Sequence, residues 1–458
     1  MTKLAFIASV LASSIAFADD EPTAGEVAGA PEAGAESGRA DEVDDGDGAG
    51  IWVARGLLFI PRVAVTVAFA PVEGMAWGIE RYQLVDRAQR LFFNDAGTFG
   101  IFPTIQHDSG FGINVGLRLV HRDLLGKQEH FDFSTKGGGR YEERVAATLT
   151  SGKRFGEHVS LELGGEYEKA PKDSFYGIGN ADESSMPEPI DPTMDAATET
   201  RFRHRIMRAH GTVDVRVAKA FHVLGAGSVT DHTYGRSAEG AAIDEVFMTD
   251  RLAGFDDGVR NTYGELELRW DSRGRANDYE PISVISSGQL LALFAGRVTP
   301  LDADGKDFWR YGVDAQQFFR VGPGPRVIAL RAQTEAVTGN RDDVPFTELP
   351  RLGGKDVLRG YPSDRFRDKV AMVSSLDYQF DLMPNLSASL FVDAGRVQSS
   401  VSDFETSDLR VGYGMQFDLH TSRSFLARAS IASSIDGGVF FNFGLDPVFE
   451  LDGRVQRR

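Results

Sequence analysis

The chain has 458 residues, with 67 Asp and Glu against 49 Lys and Arg for a formal charge of −18. An acidic chain with no basic stripe repels a phosphate backbone, which excludes nucleic acid as a partner. No cysteine occurs, so disulfide staples, thiolate nucleophiles and thiolate metal ligands are excluded, and the core must stabilise itself.

The first predicted element is a signal peptide over residues 1–18. Lys3 supplies the charge, Leu4 to Ile15 form a short apolar core, and Ala16-Phe17-Ala18 place small residues where a signal peptidase reads. That core is too short to cross a bilayer, so the chain is expected to be exported and to continue from near Asp19. Residues 19–50 read as an acidic, disordered linker. They hold eleven acids and one Arg, a charge of −10, and nothing more apolar than Val27 and Val43. Such a tract cannot bury enough surface to offset chain entropy. Its VDDGDGAG end lacks the ligand spacing and the closing Glu of a calcium loop.

Residues 51–95 are predicted to form a periplasmic helical segment. The apolar run from Val63 to Val72 is bracketed by Arg62 and Glu73 and interrupted by Pro61 and Pro71, so it does not span a membrane. Met75, Ile79, Tyr82 and Val85 recur at helical spacing, with Glu80, Arg81, Arg87 and Arg90 interleaved. This pattern fits a helix that packs on or plugs the following domain. A helix lying on the periplasmic face of the membrane stays open as an alternative.

From about Gly100 the period of the pattern changes to two, and residues 96–449 are predicted to be one domain followed by a tail over 450–458. In LSASLFVDAGRV, Leu386, Ala388, Leu390, Val392 and Ala394 share one face, while Ser387, Ser389, Phe391, Asp393 and Gly395 share the other. Alternation alone suits a soluble sandwich equally well. The charged faces decide between them: Glu265, Glu267, Arg269 and Asp271, or Arg310, Asp314 and Arg320, suit a wet lumen and not a dry core. Many of the runs have the ~9–12 residues that a tilted strand needs to cross a bilayer. Counting them gives about sixteen, and an even number is the rule for bacterial barrels. The predicted fold is therefore all-β, a 16-stranded antiparallel transmembrane β-barrel. Gly322-Pro323-Gly324-Pro325, Met383-Pro384-Asn385 and Thr421-Ser422-Arg423 read as tight turns. Residues 169–200, 234–261 and 338–369 read as long polar loops. The stretch from Ser272 to Gly288 is long where the alternation calls for a turn.

Within the third loop and after it, RLGGKDVLRGYPSDRFRDK leads into VAMVSSLDYQFDL and LSASLFVDAGRV. These residues resemble the carboxy-terminal barrel of the BamA/TamA-like outer-membrane assembly factors, the bacterial surface antigen family. That family carries an LRGY-type motif in the loop between strands eleven and twelve. Here the motif is Leu358-Arg359-Gly360-Tyr361, preceded by Gly353-Gly354. The family's F-x-D-x-G strand is matched by Phe391, Asp393 and Gly395, and its S-L-E-aromatic strand by Ser375-Leu376-Asp377-Tyr378, with Asp replacing Glu. Weaker echoes are Phe175-Tyr176-Gly177-Ile178-Gly179-Asn180 and Trp270-Asp271-Ser272-Arg273, followed by Pro281 and Gly288. Strict alternation aims Asp377 and Asp393 into the lumen if the aliphatic residues meet lipid. A planar guanidinium is suited to bridging two such carboxylates. The residues by themselves leave open that Arg359 is an exposed loop charge; the resemblance implies that it is buried against the two acids.

The resemblance also implies a function, which is to assist insertion or translocation of proteins or lipids at the outer membrane of a Gram-negative cell. Family members normally carry periplasmic POTRA modules ahead of the barrel. The linker and helical segment here predict a short member without them, served by a separate periplasmic partner. Outer-membrane lipid and unfolded outer-membrane proteins or lipids are the expected partners and clients. The first predicted strand contains Pro103, and the last contains Gly444 and Pro447. Missing ladder donors there would weaken the seam where the barrel closes, although prolines also simply mark strand ends. A passive pore or structural barrel is the alternative. An outer-membrane lipase built on His107 and Ser109 is a further one, but no G-x-S-x-G, H-E-x-x-H or phosphate-loop string occurs. No enzyme activity, metal or cofactor is expected.

Overall fold

A computed structural model of the chain describes residues 91–181, 187–274, 285–302, 305–321, 326–383, 386–403, 405–420 and 425–445. The predicted signal peptide, acidic linker, nearly all of the 51–95 segment, Pro447 and the tail lie outside the described residues.

Among the described residues, sixteen strands close into a single antiparallel barrel. The first eight are β1 Phe99–Asp108, β2 Gly112–His121, β3 His130–Gly138, β4 Tyr141–Thr150, β5 Val159–Phe175, β6 Thr200–Arg216, β7 Phe221–Arg236 and β8 Val259–Asp271. The second eight are β9 Gly288–Pro300, β10 Phe308–Arg320, β11 Arg326–Val337, β12 Val370–Met383, β13 Leu386–Gln398, β14 Arg410–His420, β15 Phe425–Ser434 and β16 Val439–Leu445. Each strand pairs with its neighbours in sequence, and β1 pairs with β16 to close the ring.

The two-residue period has a direct physical cause. Leu266, Leu268 and Trp270 of β8 are exposed on the outer wall, while Glu267 between them is buried toward the lumen. Exposed apolar side chains elsewhere repeat the theme, as in Val115 and Leu117 of β2, Leu291 and Leu293 of β9, and Trp309 and Tyr311 of β10. Inward charges pair across neighbouring strands: Arg331 with Asp314 at 2.8 Å, Arg208 with Glu166 at 3.0 Å and Arg118 with Asp132 at 2.6 Å.

Two predicted loops prove shorter than the sequence suggested. β5 and β6 run for 17 residues each and β7 for 16, more than the ~9–11 a bilayer requires. Their pairing slips between Ala170 and Asp173, around Pro171, which has no N–H to give to the ladder. It then continues to Phe175 opposite Thr200. The extension persists because its ends are roofed by apolar residues from three loops. Phe175 and Phe202 pack with Ile178, Phe247, Phe255 and Phe346 in one buried cluster. The ring pairs Phe175–Phe247 at 4.9 Å and Phe202–Phe346 at 5.2 Å have tilted, edge-on geometry. A single helical turn, α1 Ile243–Val246, contributes Ile243 and Val246 to the same roof. The Ser272–Gly288 connection begins as a continued hairpin, with the Ser272 N–H donating to the Gln289 carbonyl at 2.9 Å and Gly274 bridging Ser287.

Candidate functional site in the barrel lumen

Residues 338–369 leave β11, enter the lumen and return to β12. The loop narrows to a ribbon in which Arg351–Leu352 pairs with Phe366–Arg367. Gly353 and Gly354 follow with φ of +110° and +119°, angles that suit glycine. A Cβ on Gly353 would lie 2.3 Å from the Pro362 carbonyl oxygen. The turn delivers Leu358, fully buried, into a small core with Leu352, Tyr361, Phe366, Val373 and Val397.

Arg359 stands at the tip of the loop. Its backbone N–H and its Nε both donate to Asp393 Oδ2 at 2.8 Å, and its Nη2 donates to Asp393 Oδ1 at 2.7 Å. Nη1 and Nη2 donate to the two oxygens of Asp377 at 2.9 and 3.0 Å. The guanidinium carbon also lies 3.6 Å from the centre of the Phe391 ring, close enough for a cation–π contact. The sheet register explains this convergence. Asp377 on β12 is directly opposite Phe391 on β13, and Asp393 is opposite Ser375, so the two acids are diagonal neighbours on one face. Burial would lower the Arg359 pKa, but the hydrogen bond to Asp393 and the charge of Asp377 hold it above the ordinary arginine value.

Two glycines of β14 that the sequence did not single out make room for the loop tip. Gly412 is opposite Asp393 and Gly414 is opposite Phe391. A Cβ on Gly412 would sit 1.6 Å from the Arg359 carbonyl oxygen, and one on Gly414 would sit 2.8 Å from the Phe391 ring. Gly360, with φ of +95°, presses against the Ser433 carbonyl, where a Cβ would lie at 2.1 Å. Gly395 lies beneath Leu352, whose Cδ1 would meet a Cβ at 3.2 Å. Gly412→Ala is therefore expected to lift the tip out of its seat and to make the loop protease-sensitive in the folded barrel. Unchanged cleavage would show that the close approach is not required.

Further contacts fix the loop to other parts of the wall. The Tyr361 hydroxyl donates to Asp436 at 2.7 Å, and Arg410 reaches the same carboxylate at 3.3 Å. Asn180, from the FYGIGN echo, ties the β5–β6 connection to the same wall: it accepts from the Val397 N–H at 3.1 Å and donates to Asp408, while its carbonyl accepts from Arg410 at 2.7 Å. Asp364 meets Arg140 of the β3–β4 hairpin at 3.3 Å and Arg351 at 3.0 Å. Arg341 pairs with Asp368. The Arg367 side chain is buried at the base of the loop, donates to the Phe346 carbonyl at 3.1 Å and lies over the rings of Phe175 and Phe346. Burial, aided by the charge of Arg351, pushes its pKa down to about 10, which leaves it charged near neutrality. The loop thus reaches from the β3–β4 hairpin on one side to β12–β15 on the other.

The residues expected at the seam are less alike than the sequence suggested. β1 pairs with β2 from Phe99–His121 to Asp108–Gly112, but with β16 only at Ile105–Leu445, Gln106–Gly444 and His107–Phe443 among the described residues. Pro103 is opposite Leu117 of β2, and Pro447 lies outside the described residues. Gly444 has room for a Cβ, with its nearest neighbour, Gln106 Cγ, at 4.0 Å, so Gly444→Ala is expected to leave folding unchanged in a urea titration. Beyond the ladder, the Ser109 hydroxyl donates to the Phe441 carbonyl and accepts from the Phe441 N–H, both at 2.7 Å. That hydroxyl clips the first strand to the last. His107 faces the Phe441 ring with centroids 5.9 Å apart. Among the described residues no group of three or more His, Asp or Glu side chains is arranged to hold a metal ion.

Comparison with known proteins places this geometry. Residues 123–445 match the model of the Omp85 superfamily domain. Among solved structures the chain is similar to BamA from Haemophilus ducreyi lacking POTRA domains 1–3, at 14% identity and a TM-score of 0.53, covering 76% of this chain and 70% of that one. It is also similar to CdiB from Acinetobacter baumannii, at 10% identity and a TM-score of 0.48 over 76% of this chain and 59% of that one. For CdiB from Escherichia coli the values are 11% and 0.49, over 75% and 62% of the two chains. The chain therefore spans about three-fifths of each CdiB structure. No curated protein matches it.

Proposed function

The chain belongs to the Omp85 superfamily, and from that premise we propose that it sits in the outer membrane and assists proteins or lipids to insert into or cross it. The observation that carries the reading is Arg359 held by Asp393 and Asp377. It ties a lumenal loop to the strands that precede the closing edge. In this reading the loop braces the wall of β12 to β15, and the short β1–β16 ladder is where the barrel opens toward lipid. Unfolded outer-membrane proteins or lipids are the clients, and a separate periplasmic partner delivers them.

Deleting the gene and quantifying outer-membrane proteins and lipids by mass spectrometry tests the reading directly. A selective loss of some components, restored by the wild-type gene and not by Arg359→Ala, is the expected result. An unaltered outer membrane would remove it. The competing reading, a passive pore, predicts large steady conductance in planar bilayers. With the loop lying across the lumen, we expect small currents from the intact protein that grow when residues 353–367 are deleted. Large steady currents before deletion would favour the pore.

A further inference from the structure

The outer wall of the barrel changes character at the long-loop end of β5 to β9. Connections 176–199, 237–258 and 338–369 lie at one end of the barrel, and connections 151–158 and 217–220 lie at the other, so the long-loop end faces out of the cell. β6 starts from that end at Thr200. Met207, Ala209 and Val213 share its outer face and are exposed, which marks the apolar band. Arg205 and Arg203 continue the same face two and four residues beyond Met207, and both are exposed. Alternate residues of a strand stand about 7 Å apart, and a guanidinium is charged at any physiological pH.

These two cations differ from those around them. Lys169, directly opposite Arg205 on β5, meets Glu142 at 2.6 Å. Arg260 on β8 meets Asp302 at 2.6 Å, and Arg297 on β9 pairs with Asp307. Asp231, the acid of β7 at the edge of the apolar band, is directly opposite Arg260 on one side and Met207 on the other. Among the described residues, neither the Arg203 nor the Arg205 side chain has an ion pair or a hydrogen bond. Arg203 lies across β7 at Gly235, where a Cβ would sit 2.8 Å from Nη2, and Arg205 is opposite Thr233. Two like charges are thus held side by side at the rim of a low-dielectric band, where an anion placed between them is stabilised by both.

Towards the middle of the membrane the wall beneath the pair is bare backbone. Gly211, Gly227 and Gly264 are directly opposite one another on β6, β7 and β8. A Cβ added at Gly225 or Gly264 would meet nothing within 4 Å, so the patch opens outward. Leu163, Met207, Val229 and Leu266 are exposed around it. A depression within the apolar band has no water to fill it, and hydrocarbon chains take that place.

We propose that Arg203 and Arg205 bind the phosphate of a phosphorylated lipid in the outer leaflet, whose acyl chains lie over the glycine patch of β6 to β8. The inference rests on the reading that the barrel sits in the outer membrane, and adds a lipid site separate from the Arg359 anchor and from the β1–β16 seam. Charge selects the headgroup, because a guanidinium offers parallel donors to the oxygens of a phosphate. Position selects a lipid over a soluble phosphate, because the pair stands at the edge of the wall that lipid covers. β6 to β8 lie on the far side of the ring from the seam, so a lipid held there leaves β1 and β16 free to part.

Native mass spectrometry of the full-length barrel in detergent tests the site, with bisphosphorylated lipid A as the probe. Wild type should bind it more tightly than the dephosphorylated form, and rising salt should weaken the difference. Arg203→Ala/Arg205→Ala should lower the affinity about tenfold, the loss expected for a charge-assisted hydrogen bond, and leave the dephosphorylated lipid unaffected. Lys153→Ala/Lys219→Ala removes the same charge from exposed positions at the short-turn end and should change nothing. Gly225→Leu/Gly264→Leu fills the patch and should weaken both lipids alike. Should the Arg variant not fold, Thr233→Cys places a single nitroxide opposite Arg205 in a chain with no other cysteine. Its mobility should fall when lipid A is added and stay constant with inorganic phosphate. Equal affinity for the two lipids, full binding by the Arg variant, an equal loss in the Lys variant or an equal label response to inorganic phosphate would overturn the proposal. The gene-deletion experiment keeps the two readings apart. An unaltered outer membrane removes the assembly function and leaves the lipid site to the binding data, and failed binding removes the site while the assembly function stands.

Discussion

Arg359→Ala should release the loop tip and leave Asp393, whose side chain is 0% exposed, as a buried carboxylate without its cation. Breaking a buried ion pair from one side costs about 3–5 kcal/mol, because the remaining charge is uncompensated. Four side-chain hydrogen bonds are lost, two to Asp393 and two to Asp377, and a fifth, to Asp393, comes from the backbone. The one made by the backbone N–H is retained only if the tip stays in place. The urea midpoint of the folded barrel should therefore fall, and trypsin should cut at Arg365 or Lys369 within the loop. Arg359→Lys separates charge from shape. An ammonium keeps the charge but cannot meet Asp393 through two parallel donors while also reaching both oxygens of Asp377. We expect the Lys variant to recover less than half of the lost stability and to remain inactive in the outer-membrane assay. A Lys variant equal to wild type in both measurements would mean that a point charge is sufficient and that the planar fork has no role.

How far these contacts were legible beforehand depended on how local their cause is. The barrel and its strand count were readable because alternation is written into each strand separately, as in Glu265 to Asp271 of β8. Placing Asp377 and Asp393 on one face needed only that alternation, and the order of LRGY and F-x-D-x-G named Arg359. Gly412 and Gly414 were not readable in the same way. A glycine in a strand signals weakness or a close approach, and which of the two depends on the β13–β14 register that sets them opposite Asp393 and Phe391. The roof was hidden because Ile178, Phe247 and Phe346 are isolated apolar residues in polar stretches with no periodicity. Their burial turned the predicted loop ends at Lys169 and Tyr234 into strand.

Closing the seam covalently should abolish function without unfolding the barrel. Gln106 and Gly444 are direct partners across the β1–β16 ladder, and directly opposed residues in an antiparallel pair have Cα atoms about 4.5–5.5 Å apart, within the span of a disulfide. The chain has no cysteine of its own, so Gln106→Cys/Gly444→Cys can form only the intended bridge. Room for a side chain at Gly444 means that the reduced variant should fold and work as wild type. If clients pass between the first and last strands, oxidation should remove activity and a reducing agent should return it. A natural control lies just beyond the ladder. Ser109→Ala removes the two bonds to Phe441 and should make opening easier, raising spontaneous conductance through a seam that the disulfide then silences. The disulfide distinguishes this route from one through the lumen, because loop release by Arg359→Ala leaves β1 and β16 free to part. An oxidised variant with full activity would place the path elsewhere in the barrel and leave the short β1–β16 ladder as a structural feature only.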